Sequence, residues 1–464
     1  MRRLKCDVAV IGAGPAGLAA AARAKQSGAG RVILLDRDRE LGGILNQCIH
    51  NGFGLQLLAQ ELTGPEYAEH FIAEALDCGV ETMLNTMVLD VTREREIIAI
   101  NSDEGLMHIQ ARAVILAMGA RERNRGAVTI PGTRPSGVFT AGAAQRFVNM
   151  EGYMPGRRVV VLGSGDIGLI MARRMTWEGA KVEAVLEIMP FPSGLTRNIV
   201  QCLDDQGIPL YLSHTVVCIK GDERVEGVTV ARVDENLKPI PGTEWDIPCD
   251  TLLLSIGLIP ENELSLEAGV ELDAITGGPA VTDEMETSIS GIFACGNVVH
   301  IHDLVDNVTR EACTAGEGAA RLVTGQQPGG ANVRTRAGDG IRYVVPQQVH
   351  VENLADRDVR LFMRVTRPAE NVRVEAEIGG EVVFSKFERV VRPAEMVALT
   401  IPAGKVSRQA MAATASVGGV GGAHRPGKAK PQAGPEVGLR IWGRGAPRKG
   451  GKEAGFQDQQ VSGN

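Results

Sequence analysis

An α/β fold, with two parallel-sheet units in tandem and a small antiparallel β-module behind them, is what this sequence predicts. Three observations carry the prediction. The stretch Cys6–Asp36 reads strand, glycine turn, helix, strand, acid. The same order returns between Arg158 and Glu187. Past Gln326 the pattern changes to alternating apolar and polar residues.

In the first stretch, Val8-Ala9-Val10-Ile11 is continuously apolar, as a parallel strand buried on both faces requires. Gly12-Ala13-Gly14-Pro15-Ala16-Gly17 follows at once, then an alanine-rich helix to about Gly28 and a second apolar run from Val32 to Leu35 that closes on Asp36. Each part has a physical task. Gly12 permits the tight turn, Gly14 lets backbone approach a pyrophosphate, and Gly17 lets helix and strand pack closely. The helix N-terminus offers free amides and a partial positive charge to phosphate. Asp36 can accept hydrogen bonds from an adenosine ribose.

Further along, the pair Gly42-Gly43 places backbone close to a ligand. A helix is expected from Pro65 to Asp77, strands at Glu81–Val91 and Ile97–Asn101, and a buried strand at Ala113–Ala120 that ends on Gly119. An Arg- and Pro-rich loop, Arg121 to Arg134, leads to the second copy. Here Arg158–Leu162 is the strand, Gly163-Ser164-Gly165-Asp166-Ile167-Gly168 the turn, and Val182–Leu186 the second strand, ending on Glu187. Asp36 follows Gly12 by 24 residues, and Glu187 follows Gly163 by the same 24. The repeat is therefore at the scale of a domain. An acid at position 187, followed by Ile188-Met189-Pro190 and no arginine pair, suits the ribose 2′-hydroxyl of NADH and repels the 2′-phosphate of NADPH.

Strands recur at Leu210–Ile219, Val225–Val233 and Thr251–Ile256, and a helix is expected from about Asn307 to Thr324. Ile341 to Pro402 alternates as antiparallel strands do, with Gly379-Gly380 as a hairpin turn. From Val406 periodicity is lost, and nine Lys or Arg stand against three Asp or Glu. That composition predicts a disordered basic tail.

A net charge of −7 and only 4% aromatic residues argue against nucleic-acid binding by the body of the chain. No apolar run is long enough to span a bilayer, and the N-terminal apolar segment is a strand and helix rather than a leader, so a cytoplasmic location is expected. None of the eight cysteines stands at CxxC spacing, which removes the usual zinc, iron–sulfur and thioredoxin-type signatures. His300 and His302, with Asp303 and Asp306, lack a further ligand that the sequence can place, so no metal is expected.

The two glycine fingerprints, Ala117-Met118-Gly119 and Gly291-Ile292-Phe293-Ala294-Cys295-Gly296-Asn297 together resemble the FAD-dependent pyridine nucleotide–disulfide oxidoreductase superfamily over about residues 4–326. The resemblance implies two Rossmann-like domains, the first discontinuous: 1–122 with 278–326 for FAD and 123–277 for NAD(P)H, followed by the β-module at 338–405 and the tail at 406–464. It implies FAD contacts from Gly12, Gly14, Pro15, Ala16, Gly17, Asp36, Arg37 and Gly43, and from Val88, Ala117, Gly119, Gly296 and Asn297. It implies NADH contacts from Gly163, Gly165, Asp166, Ile167, Gly168, Glu187 and Gly257. Asn297 stands where the family's third motif has an acid. The helix after that motif is expected to aim its N-terminus at the flavin.

The redox disulfide of the family is missing. Leu45 and His50 occupy the places of the cysteines that follow the paired glycines in one branch, and Pro135–Gly156 contains no cysteine where another branch has CxxC. The strings LGGILNQCIHNGFG and FACGNVVHIHDLVDNVTREA resemble instead a dithiol-free subgroup. It includes the flavoprotein subunits of hydrogen cyanide synthase and opine oxidase, and an oxidoreductase encoded beside glycerol-3-phosphate dehydrogenase. The catalytic candidates near the flavin are His50, as a proton donor or acceptor, and Cys48, as a reactive thiol.

The leading expectation is an FAD enzyme exchanging electrons between NADH and an acceptor or a partner dehydrogenase or electron-carrier subunit. The alternatives are an amine, opine or amino-acid dehydrogenase subunit that oxidises a small-molecule substrate, and a flavin-bearing assembly subunit without catalysis. A homo-oligomer is compatible with each.

Overall fold

The computed structural model describes residues 2–327, 332–378, 381–405 and 436–443. The strand Arg2–Ile11 lies between Val32–Leu35 and Gly105–Leu116, parallel to both, with Val10 opposite Leu34 on one side and Ile115 on the other. Glu81–Met83 extends one edge, and Ile292–Ala294 pairs with the end of Gly105–Leu116. Val8, Ala9, Val10, Ile33, Leu34 and Ile115 are all fully buried, which is why these strands are apolar without alternation. An antiparallel pair, Thr86–Val91 and Glu96–Asn101, completes this sheet.

The helix Pro15–Gln26 packs on one face against the helix Val305–Thr324. The two backbones nearly touch: a Cβ on Gly316 would stand 2.4 Å from the Ala20 carbonyl oxygen. The alanine-rich sequence of the first helix is thus a packing requirement, since any larger side chain would separate the helices. The long helix begins at Val305, two residues before the expected start.

A second parallel sheet has the order Val138–Thr140, Thr251–Leu254, Arg158–Leu162, Lys181–Glu187, Leu210–Leu212. A three-stranded antiparallel sheet, His214–Lys220 with Gly227–Arg232 and Trp245–Pro248, covers it. The expected strand Leu210–Ile219 is two strands in two sheets, because the backbone turns at Ser213 with φ of 56°. The expected Glu81–Val91 is likewise broken, at Asn85 with φ of 50°. Ala120–Glu122 pairs with Leu258–Pro260 where the chain enters and leaves this unit.

The C-terminal module has two small sheets. One has the order Gln348–His350, Asn332–Ala337, Glu436–Gly443, Ala369–Ile378, Glu381–Val391; the other joins Ile341–Val345, Val359–Val365 and Val397–Ile401. Two expectations need correction. The module starts at Asn332 rather than 338. The tail supplies a central strand: Glu436–Gly443 runs parallel to Asn332–Ala337 and antiparallel to Ala369–Ile378, with Val437 and Leu439 fully buried. Burial of those two alternate side chains offsets the cost of ordering this strand. Gly379-Gly380 and the remainder of the tail lie outside the described residues.

The module is clamped to the first unit. His350 Nδ1 and Asn353 Nδ2 bond to Asp283, and Arg357 pairs with Glu284. The Met396 amide donates to Asp303 Oδ2, and Arg364 donates to the Ile301 carbonyl.

Candidate active site

Both glycine turns open into one cavity of about 2210 Å³ that runs between the two parallel sheets and under the edge of the module. The glycines divide by task. Gly12 has φ of 102°, and a Cβ there would lie 2.5 Å from the Ala117 carbonyl oxygen; one on Gly17 would lie 1.7 Å from the Gly12 oxygen. Gly163 repeats Gly12 at 2.1 Å from Ser255 O, and Gly168 repeats Gly17, its Cβ falling 2.5 Å from Ser255 Cβ. Gly14 differs from all four. Its φ is −76°, and a Cβ on it would meet nothing within 4 Å. Neither backbone strain nor packing demands glycine there, so what it leaves room for is a ligand on the helix N-terminus.

Of the expected FAD residues, Gly12, Gly14, Pro15, Ala16, Asp36, Arg37, Gly43, Val88, Ala117, Gly119 and Asn297 line the cavity. Gly17 and Gly296 do not. Gly17 is pure packing, and Gly296 lies against Ala16, whose Cβ a Gly296 Cβ would approach to 2.8 Å. Of the expected NADH residues, Gly163, Gly165, Asp166, Ile167, Glu187 and Gly257 line it, and Gly168 sits beneath.

The two strand-end acids are held differently. Asp36 accepts the Ala13 amide at 2.6 Å and the Asp38 amide at 2.8 Å. Glu187, only 3% exposed, accepts the Ser164 amide and hydroxyl and the Ser193 hydroxyl on Oε2, and the Met189 amide on Oε1. Asp166 spends Oδ1 on the Leu195 amide and the Asn198 side chain. Asn297 Oδ1 accepts the His302 amide at 3.0 Å, which leaves its Nδ2 donors without a partner among the described residues.

His50 lines the cavity beside Phe53, ring centroids 5.0 Å apart. Its Nδ1 lies 3.1 Å from the Asn51 carbonyl. A carbonyl only accepts, so Nδ1 carries the proton and Nε2 keeps the lone pair. Burial holds this imidazole below its usual range, aided by the charges of Arg173 and Arg197. It is a neutral base at pH 7.

Cys48, expected as a reactive thiol, also borders the cavity. Its Sγ donates to the Ile44 carbonyl at 3.3 Å, and burial pushes the thiol up to about 12. All eight cysteines are free.

Several cavity residues escaped sequence reasoning. Arg342, Arg364, Thr366, Pro393 and Ala394 reach it from the module. No local pattern signals such juxtapositions. Among the described residues no helix is long and apolar enough to cross a membrane.

A parallel sheet carrying a glycine turn, repeated, with both turns facing one cavity, defines a two-dinucleotide oxidoreductase. Residues 6–317 match the pyridine nucleotide-disulphide oxidoreductase family, and the chain belongs to it. The family is one of FAD-binding oxidoreductases that use NAD(P)H. The chain is 31% identical to an opine oxidase subunit of Agrobacterium tumefaciens (strain Ach5) over 63% of its own length and 61% of that protein's. It is 26% identical to the HcnB subunit of hydrogen cyanide synthase from Pseudomonas protegens over 56% and 58% of the two lengths. The chain thus spans about three fifths of these curated relatives. Among solved structures, thioredoxin reductase of T. acidophilum superposes with a TM-score of 0.56 at 25% identity, covering 69% of this chain and 98% of that one.

Proposed function

We propose that this chain exchanges electrons between NADH and an acceptor, or a partner dehydrogenase or electron-carrier subunit, through bound FAD and without a redox disulfide. The observation that carries the reading is the pair of glycine cradles on one cavity whose cysteines are free, with the one at its wall, Cys48, protonated. FAD, when bound, supplies two-electron redox chemistry that no side chain here offers.

The chain's residues then have distinct tasks. In the first cradle the amides after Gly14 receive phosphate and Asp36 the ribose, while Gly43 and Gly119 let backbone lie close to the ligand. In the second cradle Gly163 and Gly165 receive the coenzyme phosphates, and Glu187 receives the adenosine ribose and excludes a 2′-phosphate by charge. His50 Nε2 takes or returns a proton at the cavity wall. The N-terminus at Val305, without a side-chain cap and at the cavity wall, would offer partial positive charge to a bound flavin.

The likeness to the opine oxidase protein favours a second reading, oxidation of a small amine or opine substrate in the same cavity. Anaerobic titration of the flavin-loaded chain separates the two. Bleaching by NADH and not by amino acids or opines supports the first; bleaching by such substrates without NADH supports the second. A chain that stays colourless after reconstitution with FAD ends both.

A further inference from the structure

Beside the third flavin motif, yet outside the tasks just given, lies a buried cluster of His300, His302 and Glu311. The sequence shows the two histidines at i and i+2 in the loop after Asn297 but no third ligand. The long helix supplies it. Glu311 Oε2 stands 2.8 Å from His300 Nε2 and 3.2 Å from His302 Nε2, and each of the three side chains is 1% exposed. Among the described residues this is the one group of three such side chains whose ligand atoms converge, all within 4.8 Å of one another.

We propose that His300, His302 and Glu311 bind a divalent late first-row transition-metal ion, with Zn²⁺ the natural probe. Three features support the site. First, the donor set is right: two imidazole nitrogens and a carboxylate oxygen are a common three-ligand set for Zn²⁺ and its neighbours. An ion at ~2.0–2.1 Å from each donor in tetrahedral geometry sets donors about 3.3 Å apart. The two separations from Glu311, 2.8 and 3.2 Å, need widening by about half an ångström or less. Second, the carboxylate has no permanent cation paired with it among the described residues. Glu311 has no lysine or arginine ion pair among the described residues, only the two imidazoles and the Gly296 amide at 2.7 Å on Oε1. A carboxylate buried without a cation is costly, and a divalent ion supplies the missing charge. Third, the surroundings hold the ligands in place. Phe362 packs against both imidazoles and Tyr343 against His300, the Gly296 amide orients the carboxylate, and the two imidazole Nδ1 atoms are buried without a partner among the described residues. His302 lines the large cavity, which gives an ion its route. A bound ion would tie the loop Gly296–Leu304 to the long helix, next to Asn297.

The test uses the full, flavin-loaded chain. Its thiols are first alkylated, so that cysteine does not compete. It is then incubated with Zn²⁺, freed of excess by gel filtration, and analysed by elemental mass spectrometry. The expected result is about one zinc per chain, reduced about tenfold or more in His302→Ala and in Glu311→Gln. A zinc-dependent rise in the Tm of the wild-type chain, abolished by either substitution, is expected alongside. X-ray absorption of the zinc-loaded wild type, expected to show nitrogen and oxygen neighbours including imidazole, decides the matter if the variants do not fold. Substoichiometric zinc in the wild type, equal retention by both variants, or sulfur in the coordination shell would each overturn the assignment. None of these readouts depends on which substrate or coenzyme the enzyme uses.

Discussion

The Ser193 hydroxyl donates to Glu187 Oε2 at 2.5 Å, and Ser193 belongs to the loop that follows the strand Glu187 ends. That bond, with those from Ser164, holds a carboxylate in place while Oε1 keeps only the Met189 amide. The acid is therefore oriented in advance to accept from a ribose diol, at no further cost in side-chain freedom. Replacing it, as in Glu187→Ala, should raise the KM for NADH about tenfold or more, the worth of a hydrogen bond to a charged acceptor. The same change should narrow the gap between NADH and NADPH, because the repelling charge is gone. Stopped-flow flavin reduction with each coenzyme measures both effects. Equal rates with NADH and NADPH in the wild-type chain would refute the role given to Glu187.

Gly14 and Gly17 are separated by less than one helical turn and answer to opposite constraints. A methyl group on Gly14 meets no protein atom within 4 Å, while one on Gly17 collides with the Gly12 carbonyl. Gly14→Ala should leave the flavin-free protein within about 1 kcal/mol of wild type but strip it of FAD. Gly17→Ala should cost about 3 kcal/mol or more, because backbone must move. Melting curves of the flavin-free proteins and the ratio of flavin to protein absorbance report the two outcomes. A Gly14→Ala protein that retains full flavin would show that no ligand group passes there.

Much of this was legible in one dimension because it is local. Strand, turn, helix and acid of each cradle lie within about thirty consecutive residues, although Gly12 and Gly163 turn against Ala117 and Ser255 from later strands. What stayed hidden depends on approach from elsewhere. Glu311 reads as one more polar residue on a helix until the loop carrying His300 and His302 folds over it. Arg364 reads as an outward residue of a strand, yet it bonds the Ile301 carbonyl beside the cavity. The strand at Glu436–Gly443 is eight residues of alternation inside a tail of glycine, proline and lysine, and an average over the tail erases it. Leu210–Ile219 looks continuous because its residues suit strands on both sides of Ser213, and only the change of sheet requires the turn.

His50 and Cys48 are two residues apart, and burial moves them in opposite directions: the imidazole is held down and the thiol up. Both stay neutral at pH 7. For Cys48 at about 12, the thiolate fraction at pH 8 is on the order of 10⁻⁴, so alkylation by iodoacetamide should trail a free thiol by a thousandfold or so. Peptide mass spectrometry resolves this among the eight cysteines. For His50 the linkage has a definite sign. Its folded pKa lies below the unfolded value near 6.5, so the unfolded chain takes up the proton first. The contribution of His50 to stability is complete above pH 6.5 and is lost as pH falls from there towards the folded pKa. His50→Gln should flatten that part of the stability profile, and denaturant melts at stepped pH will show whether it does. Rapid labelling of Cys48 at pH 8 would show that its environment is open.

The strand from the tail gives the most direct test of how the module is built. Glu436–Gly443 is flanked on both sides, and Gly338 donates its amide to the Leu439 carbonyl at 2.6 Å. Removing it leaves Asn332–Ala337 and Ala369–Ile378 each with an open edge, and edges of that kind pair with other chains. A chain ending at residue 435 should therefore lose the module's share of the melting transition and aggregate on heating. Leu439→Ala, which empties a fully buried site, should cost about 2–5 kcal/mol. The damage should also reach the cavity, because the module holds Ile301 and Asp303 through Arg364 and the Met396 amide. Weaker flavin retention is expected in the truncated chain, by comparison with a chain cut after residue 443. Identical melting and identical flavin content in the two would mean that Glu436–Gly443 lies on the sheet without supporting it.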